Sequence, residues 1–169
     1  MDEIICRPMT RSDIECAVKE FPPYSADRLR KLLGTYLDEQ DRGLRTALAA
    51  EVGGELAGYV TLLPFAKTGA FKNKNIPQIH DLVVFERFRR QGIGTELMSR
   101  IETEAGQKSD EVCLGVGLSS MNGAAQRLFA KRRYIPDGSG VWYGRSPARP
   151  DDTIESVGSL ILYMSKKLR

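Results

Sequence analysis

The stretch that most constrains the fold is residues 79–105, which read IHDLVVFERFRRQGIGTELMSRIETEA. An apolar run at residues 82–84, close to Ile79, predicts a short strand that is buried on both faces. Apolar side chains then recur at helical spacing from Ile93 to Ala105, which predicts a helix with one apolar stripe facing the core. A buried strand, a tight loop and a core-facing helix are therefore expected in succession.

The loop between this strand and this helix has the composition of an anion-binding turn. It consists of Arg89, Arg90, Gln91, Gly92, Ile93, Gly94 and Thr95. Glycine lets a ligand approach the backbone, and the first amides of a helix have no partner within it and lie at the positive end of its dipole. Guanidinium groups match phosphate oxygens bidentately. The loop therefore predicts a phosphate site, with the alternative that the glycines only ease the turn and the arginines are solvated.

Two common phosphate-binding motifs do not match this loop. A P-loop would require Gly-Lys-Ser/Thr, which is absent, and Leu97 stands where the dinucleotide-binding fingerprint has its third glycine. A phosphate-binding domain of a different fold that shares only the G-x-G loop is therefore the least favoured interpretation.

The stretch resembles the central motif of the GNAT family of N-acetyltransferases, which is a strand ending in L-x-V, a short turn, and R/Q-x-x-G-x-G/A opening a helix. Leu82 and Val84 match the strand, and Arg89, Gly92 and Gly94 match the loop at the family's usual spacing. The resemblance implies an α/β (α+β) fold with a mixed, mostly antiparallel central sheet of six to seven strands and about four flanking helices.

The other elements predicted from periodicity and turn signals follow the same order, β-α-α-β-β-β-α-β-α-β-β. Strands are predicted at residues 3–7, 44–52, 55–63, 111–117 and 158–165 and after Tyr134, and helices at residues 10–20, 25–40 and 122–132. Residues 66–75 are expected to be an exposed polar loop, and Gly138 and Gly140 to lie in a long loop before the last strand. Residues 1–169 are thus predicted to form a single acetyltransferase domain.

Composition and charge narrow the possible partners. The chain is 41% hydrophobic and 28% charged, which is typical of a globular domain, and its net charge of +3 without a block of like charges does not predict a nucleic-acid partner. No run approaches the roughly 20 apolar residues of a membrane span, so a cytoplasmic protein is expected. Cys6, Cys16 and Cys113 are expected to be reduced core residues, and with a single histidine they do not predict a metal site.

The family resemblance implies acetyl-coenzyme A as the co-substrate. Asn122 matches the asparagine that in many members reaches the pantetheine arm, Ala125 the small residue behind it, and Lys131 a basic residue near the nucleotide end. Asn122 is also a good helix N-cap, and the two interpretations are compatible. The predicted cofactor-binding set is Leu82, Val83, Val84, Arg89, Arg90, Gln91, Gly92, Ile93, Gly94, Thr95, Asn122, Ala125, Phe129 and Lys131, with no metal.

Direct acetyl transfer to an amine, which the resemblance implies, requires a base and an oxyanion site. His80 is predicted as the base because an imidazole is neutral at pH 7, and some arylalkylamine-type members carry histidine there. The alternative is a satisfied core histidine. Strand alternation places His80 on the face of Leu82 and Val84, with Asp81 on the other face. By resemblance, the backbone amide at Val84 binds the thioester oxygen.

Two positions depart from the family pattern. Phe129 stands where many members have a tyrosine that protonates the leaving sulfur, and Gln78 where others have a catalytic glutamate. Tyr134, Tyr143 or solvent can take the role of the acid. The departures leave a non-enzymatic acyl-coenzyme A-binding regulatory module as the second hypothesis.

The acceptor is not identified by the sequence. A small-molecule or protein amine fits the resemblance, and a homodimer is an open option. Aromatic residues that could line the acceptor site are Tyr24, Tyr36, Trp142 and Tyr143, and acidic residues that could attract an ammonium group are Asp81, Asp151 and Asp152.

Overall fold

The computed structural model describes residues 3–169. Helices in this part of the chain are α1 (Ser12–Val18), α2 (Ala26–Asp41), α3 (Ile93–Gly106) and α4 (Gly123–Lys131). Strands are β1 (Ile4–Pro8), β2 (Thr46–Val52), β3 (Glu55–Leu63), β4 (Gln78–Val84), β5 (Glu111–Gly117), β6 (Ile135–Tyr143), β7 (Ser146–Pro147) and β8 (Leu160–Lys167).

The eight described strands follow the order β1-β2-β3-β4-β5-β8-β6-β7. The β4–β5 pair is parallel, whereas β1–β2, β2–β3, β5–β8, β6–β8 and β6–β7 are antiparallel. The predicted mixed, mostly antiparallel sheet is thus confirmed. The described strands exceed the predicted six to seven because the chain after β6 turns back at Gly144 and pairs again as β7.

The chain divides into two compact units. Among the described residues, the first comprises residues 3–63 and 80–104, and the second Pro64–Ile79 and Ala105–Arg169. Strand β4 contributes its first two residues to the second unit and the rest to the first. A single domain over residues 1–169 stays a prediction.

The predicted hairpin and the predicted helix stripe are both confirmed. Strands β2 and β3 are joined by Gly53 and Gly54, whose φ values of 58° and 81° are those of a tight turn. Helix α3 buries Ile93, Leu97, Met98, Ile101 and Ala105 at 0–1% exposure. Because these side chains recur every three or four residues, one face of the helix lies entirely in the core.

Strand β4 differs from the prediction in its burial. Gln78 and Ile79 are buried, but every side chain from His80 to Val84 is partly exposed. The prediction rested on the apolar content of the strand, which does not distinguish a strand buried on both faces from one buried on a single face. The partly exposed side chains are those on which the candidate site depends.

A glycine on β3 permits β4 to lie unusually close. A Cβ built on Gly58 would be 2.3 Å from the Val83 carbonyl oxygen and 3.1 Å from the Val84 Cα. Because backbone atoms cannot rotate away, Gly58→Ala is expected to displace this end of β4 and lower the free energy of unfolding by about 1–3 kcal/mol.

Urea unfolding measures this effect, with Gly34→Ala as the matched control. Gly34 lies inside α2 with no atom within 4 Å of a built Cβ, so alanine there should stabilise the protein by about 0.5–1 kcal/mol. A Gly58→Ala variant as stable as the parent would contradict the close approach.

In the second unit, the segment predicted as an exposed polar loop is partly buried. Ala66 and Phe71 are 2% and 3% exposed and pack with Cys113 and Tyr163 in one hydrophobic cluster. Gly69, at φ 76°, lies directly against the Tyr163 ring. The sequence did not predict this packing because the segment is rich in lysine and its two buried side chains, Ala66 and Phe71, follow no periodic pattern.

Two smaller predictions are also corrected. Of the cysteines, Cys113 is buried, and burial raises the pKa of its thiol to about 12, but Cys16 is exposed and Cys6 is partly exposed. Gly138 and Gly140 lie within β6, where a register shift between Pro136 and Val141 accommodates them. Bulges of this kind allow a strand to contain glycines at positive φ.

Candidate active site

The loop between β4 and α3 turns through two residues with positive φ, Arg90 at 63° and Gly92 at 86°. The Glu96 amide donates to the Gly92 carbonyl at 3.0 Å, so the amides of residues 93–95 precede the backbone hydrogen bonds of the helix and have no acceptor within it. A Cβ on Gly92 would meet no atom within 4 Å, which shows that the space over this turn is open. Exposed amides at a helix N-terminus are a suitable site for phosphate.

The side chains of this loop differ in what they can contribute. Arg89 and Arg90 are exposed and have no carboxylate partner among the described residues. Gln91 and Thr95 are also exposed. Ile93, at 1% exposure, belongs to the core, so a ligand can contact it only through the backbone amide.

The backbone at the end of β4 presents a donor away from β3. The Phe85 amide donates to the Ala57 carbonyl of β3 at 3.0 Å. Because the N–H and C=O of one strand residue face the same edge and those of the next residue face the opposite edge, the Val84 N–H and C=O face away from β3. There the Arg89 Nε donates to the Val84 carbonyl at 3.4 Å.

His80, Asp81 and Tyr36 are brought together. The Tyr36 hydroxyl donates to the Asp81 carboxylate and lies 3.4 Å from His80 Nδ1, which is itself 3.9 Å from Asp81 Oδ2. Asp81 has a φ of 52°, and this left-handed residue interrupts the strand alternation. The prediction that Asp81 points to the opposite face from His80 is therefore wrong. Aspartate is one of the few residues that adopt this backbone region readily.

A buried arginine packs against the tyrosine of this cluster. Arg45, 8% exposed, lies 4.0 Å over the Tyr36 ring and donates to Thr61 Oγ1 at 2.8 Å. Thr61 in turn donates to the His80 carbonyl at 2.8 Å, and Glu39 pairs with Arg45 at 2.7 Å. The positions of the tyrosine ring and of the histidine backbone are thus coupled through one side chain.

The hydrogen bonds assign the protons of the cluster. Burial, together with the hydrogen bond to Asp81, raises the pKa of the Tyr36 phenol, which therefore keeps its proton at neutral pH. Because that one proton is donated to Asp81, the Tyr36 oxygen accepts from His80 Nδ1–H. The neutral imidazole then has a free lone pair on Nε2. With 43% of its side chain exposed, His80 is not a core histidine.

In the second unit, Asn122 occupies the N-cap position of α4, but its side chain does not cap the helix. Its side-chain amide donates to Ser119 Oγ at 3.0 Å, and α4 has no side-chain N-cap bond. The Asn122 amide packs so closely on Gly117 that a Cβ there would lie 2.5 Å from its nitrogen. The Asn122 Oδ1 has no donor among the described residues, so it is available to accept a hydrogen bond.

The remaining predicted residues on α4 have different environments. Ala125 is partly exposed and Lys131 is exposed. Phe129 is 5% exposed and packs against Tyr134 with ring centroids 5.8 Å apart, so it is a core residue. The first unit therefore contains His80 and the residues of β4 and the loop, and the second contains those of α4.

The sequence did not assign roles to Arg45 and Thr61, and it offered Tyr36 only as a possible wall of the acceptor site. The signal available for Asp81 was an acidic residue inside an apolar strand. No comparable local signal exists for Arg45. It is distant from His80 in the sequence and is connected to it only through Thr61 of the neighbouring strand β3.

Comparison with known proteins supports the features described so far. The acetyltransferase (GNAT) family model matches residues 7–133, and the chain therefore belongs to the GNAT family. No curated protein matches the sequence significantly.

Several solved structures share the fold. An N-acetyltransferase from Staphylococcus aureus Mu50 is 17% identical with a TM-score of 0.69, covering 99% of each chain. A ribosomal-protein-alanine N-acetyltransferase from Brucella melitensis is 20% identical with a TM-score of 0.68, covering 97% of this chain and 99% of its own. The PaiA N-acetyltransferase from Thermoplasma acidophilum, in complex with coenzyme A, is 17% identical with a TM-score of 0.65, covering 98% and 99%.

Within residues 3–169, no group of three or more His, Cys, Asp or Glu side chains is placed to hold a metal ion. None of the described helices is long and apolar enough to cross a membrane.

Proposed function

We propose that this GNAT-family protein transfers an acetyl group from acetyl-coenzyme A to a primary amine by direct attack in a ternary complex. The observation that carries the proposal is the His80 cluster on β4, because Nδ1 lies beside the Tyr36 hydroxyl while Nε2 of the half-exposed side chain has no hydrogen-bond partner among the described residues. The open helix N-terminus at the end of the same strand supports a ligand with phosphates. The fold shared with a coenzyme A complex agrees with both.

The proposed base is His80. An alkylammonium group, with an ordinary pKa of about 10, must lose a proton before its nitrogen can attack a carbonyl carbon. Nε2 accepts that proton, and the Asp81 carboxylate stabilises the resulting imidazolium through the Tyr36 hydroxyl. Tyr36 and Asp81 act as positioning residues, because they hold the tautomer without touching the amine.

The remaining steps use the backbone and the leaving thiol. As the amine nitrogen bonds to the carbonyl carbon, the Val84 N–H stabilises the developing oxyanion. The C–S bond then breaks, giving the acetamide and coenzyme A. No tyrosine occupies position 129 to protonate the sulfur, but a thiol with an ordinary pKa of about 8.5 leaves as the thiolate or is protonated by solvent.

The residues proposed to bind acetyl-coenzyme A are those that match the family motif. In the first unit they are the strand residues Leu82, Val83 and Val84 and the loop residues 89–95, which would bind the pyrophosphate. In the second, Asn122 Oδ1 is available to the pantetheine arm, with Ala125 beside it on α4 and Lys131 near the nucleotide end. Phe129 would act only by supporting α4 from the core.

Calorimetric titration with acetyl-coenzyme A, followed by a thiol-release assay over a panel of primary amines, tests the proposal. Binding with release on at least one amine is expected. Binding without release on any amine would favour the regulatory module, and a protein that does not bind acetyl-coenzyme A would contradict both. The amine acceptor, a cytoplasmic location and a homodimer stay predictions.

The proposed positioning role of Tyr36 can be tested by removing its hydroxyl group. Tyr36→Phe removes the acceptor of His80 Nδ1–H and the donor to Asp81, so the tautomer with its proton on Nδ1 is no longer favoured. We expect kcat to fall about tenfold, the worth of one buried hydrogen bond, with the KM for acetyl-coenzyme A unchanged. Steady-state kinetics across pH measure both quantities.

The matched control is Tyr163→Phe, since Tyr163 is also a buried tyrosine but belongs to the hydrophobic cluster with Phe71 and Cys113 in the second unit. It should behave as the parent. A Tyr36→Phe variant with the parental kcat and pH profile would show that the cluster does not position the base.

A further inference from the structure

The second unit contains a strongly basic groove of about 860 Å³ where α4 ends against the sheet. Five cationic side chains line it, namely Lys131, Arg132, Arg133, Lys166 and Lys167. Only two carboxylates, those of Glu111 and Asp137, line it with them. Lys167 pairs with Glu111 at 2.7 Å, and the Asp137 carboxylate accepts hydrogen bonds from Ser139. An excess of positive charge therefore surrounds the groove.

One of these cations lies at a position where arginine is unfavourable. Helix α4 ends in a Schellman motif, in which the Tyr134 amide donates to the Phe129 carbonyl and the Arg133 amide to the Ala130 carbonyl, both at 3.0 Å. The hydrophobic contact of the motif is the Phe129–Tyr134 pair. The left-handed residue of such a motif is usually glycine, but here it is Arg133 at φ 68°. A side chain at this position strains the backbone.

Helix capping alone does not account for this arrangement. Cations near a helix C-terminus are stabilised by its dipole, which accounts for Lys131 and Arg132. The dipole does not account for Lys166 and Lys167, which lie on β8. It does not account for Arg133 either, because glycine at this position would form the same motif without strain. Neither Lys131 nor Arg133 has a carboxylate partner among the described residues. Residues kept at an energetic cost are often functional.

We propose that this groove binds a small polyanion carrying two or more phosphate groups. Its volume falls within the range of small-molecule sites, and guanidinium and ammonium groups from two elements converge on it. A nucleoside triphosphate and an inorganic polyphosphate share this chemistry. The proposal does not depend on the acetyl-transfer reaction.

Calorimetric titration of the full chain with inorganic tripolyphosphate, in saturating acetyl-coenzyme A, tests the groove. Acetyl-coenzyme A is included because Lys131 is also proposed to lie near its nucleotide end. We expect tripolyphosphate to bind, and to bind more weakly as salt is raised. A parallel titration with ATP distinguishes the sources: a higher affinity than that of tripolyphosphate indicates a nucleotide, and an equal or lower one an inorganic polyphosphate.

The decisive variant is Arg133→Gly. It should weaken tripolyphosphate binding about tenfold and at the same time raise the urea midpoint of unfolding, because glycine relieves the strain. Arg127→Ala, which removes an exposed cation of the same helix outside the groove, should not change the affinity. Three results would overturn the proposal: no binding to the parent, equal affinity in Arg133→Gly, or displacement of tripolyphosphate by acetyl-coenzyme A.

Discussion

Gly92→Val is expected to weaken acetyl-coenzyme A binding by a hundredfold or more while the protein remains folded, a change of about 2.7 kcal/mol. The Cβ of the new residue would point into the open space over the helix N-terminus, where the phosphates would lie. The side chain would cover the amides of residues 93–95 and exclude an anion. Calorimetric titration measures the loss.

The control must separate steric exclusion from backbone strain, because Gly92 has a φ of 86°. Gly43, after α2, has a φ of 70° and also has no atom within 4 Å of a built Cβ. Gly43→Val therefore imposes comparable strain, about 1–3 kcal/mol, away from the loop. Both variants should lower the urea midpoint similarly, but only Gly92→Val should lose binding. Unchanged affinity in Gly92→Val would show that the loop does not hold the phosphates.

His80→Ala is expected to lower kcat by about 10²–10³ near neutral pH, the usual contribution of a general base. The loss should shrink as pH rises toward about 10, because a growing fraction of the amine is already neutral and needs no base. Thiol release as a function of pH measures the effect. Acetyl-coenzyme A affinity should not change, since the imidazole acts on the acceptor.

His80→Gln tests whether the effect is chemical or structural. Glutamine retains an amide that can hydrogen-bond to Tyr36 but cannot accept a proton at neutral pH. It should therefore show the same pH-dependent loss as alanine. If either variant has a pH profile parallel to that of the parent, His80 is not the base.

The family assignment and the outline of the fold could be predicted because they depend on local patterns. The stripe of α3, the Gly53–Gly54 turn and the spacing of Arg89 and Gly92 are each contained within a few residues of the chain. Periodicity and turn chemistry are properties of neighbouring residues, so they can be identified from the sequence without knowledge of tertiary contacts.

The candidate base cluster could be predicted only in part. The sequence identified His80, but it placed Asp81 on the other face, because alternation is the rule for a regular strand and a left-handed residue breaks it. The burial of Phe71 could not be predicted either, because a single aromatic residue in a polar segment forms no periodic pattern from which burial can be inferred.

The local sequence of this protein specifies where its helices and strands form and where a loop can bind phosphate. The orientation of the His80 ring depends instead on Tyr36 from α2. Tyr36 is in turn held by Arg45, which precedes β2 and donates to Thr61 of β3. The left-handed position of Arg133 likewise follows from how α4 ends against Tyr134. Hydrogen bonds between residues far apart in the chain have no sequence period, and they form only when the sheet and helices have packed.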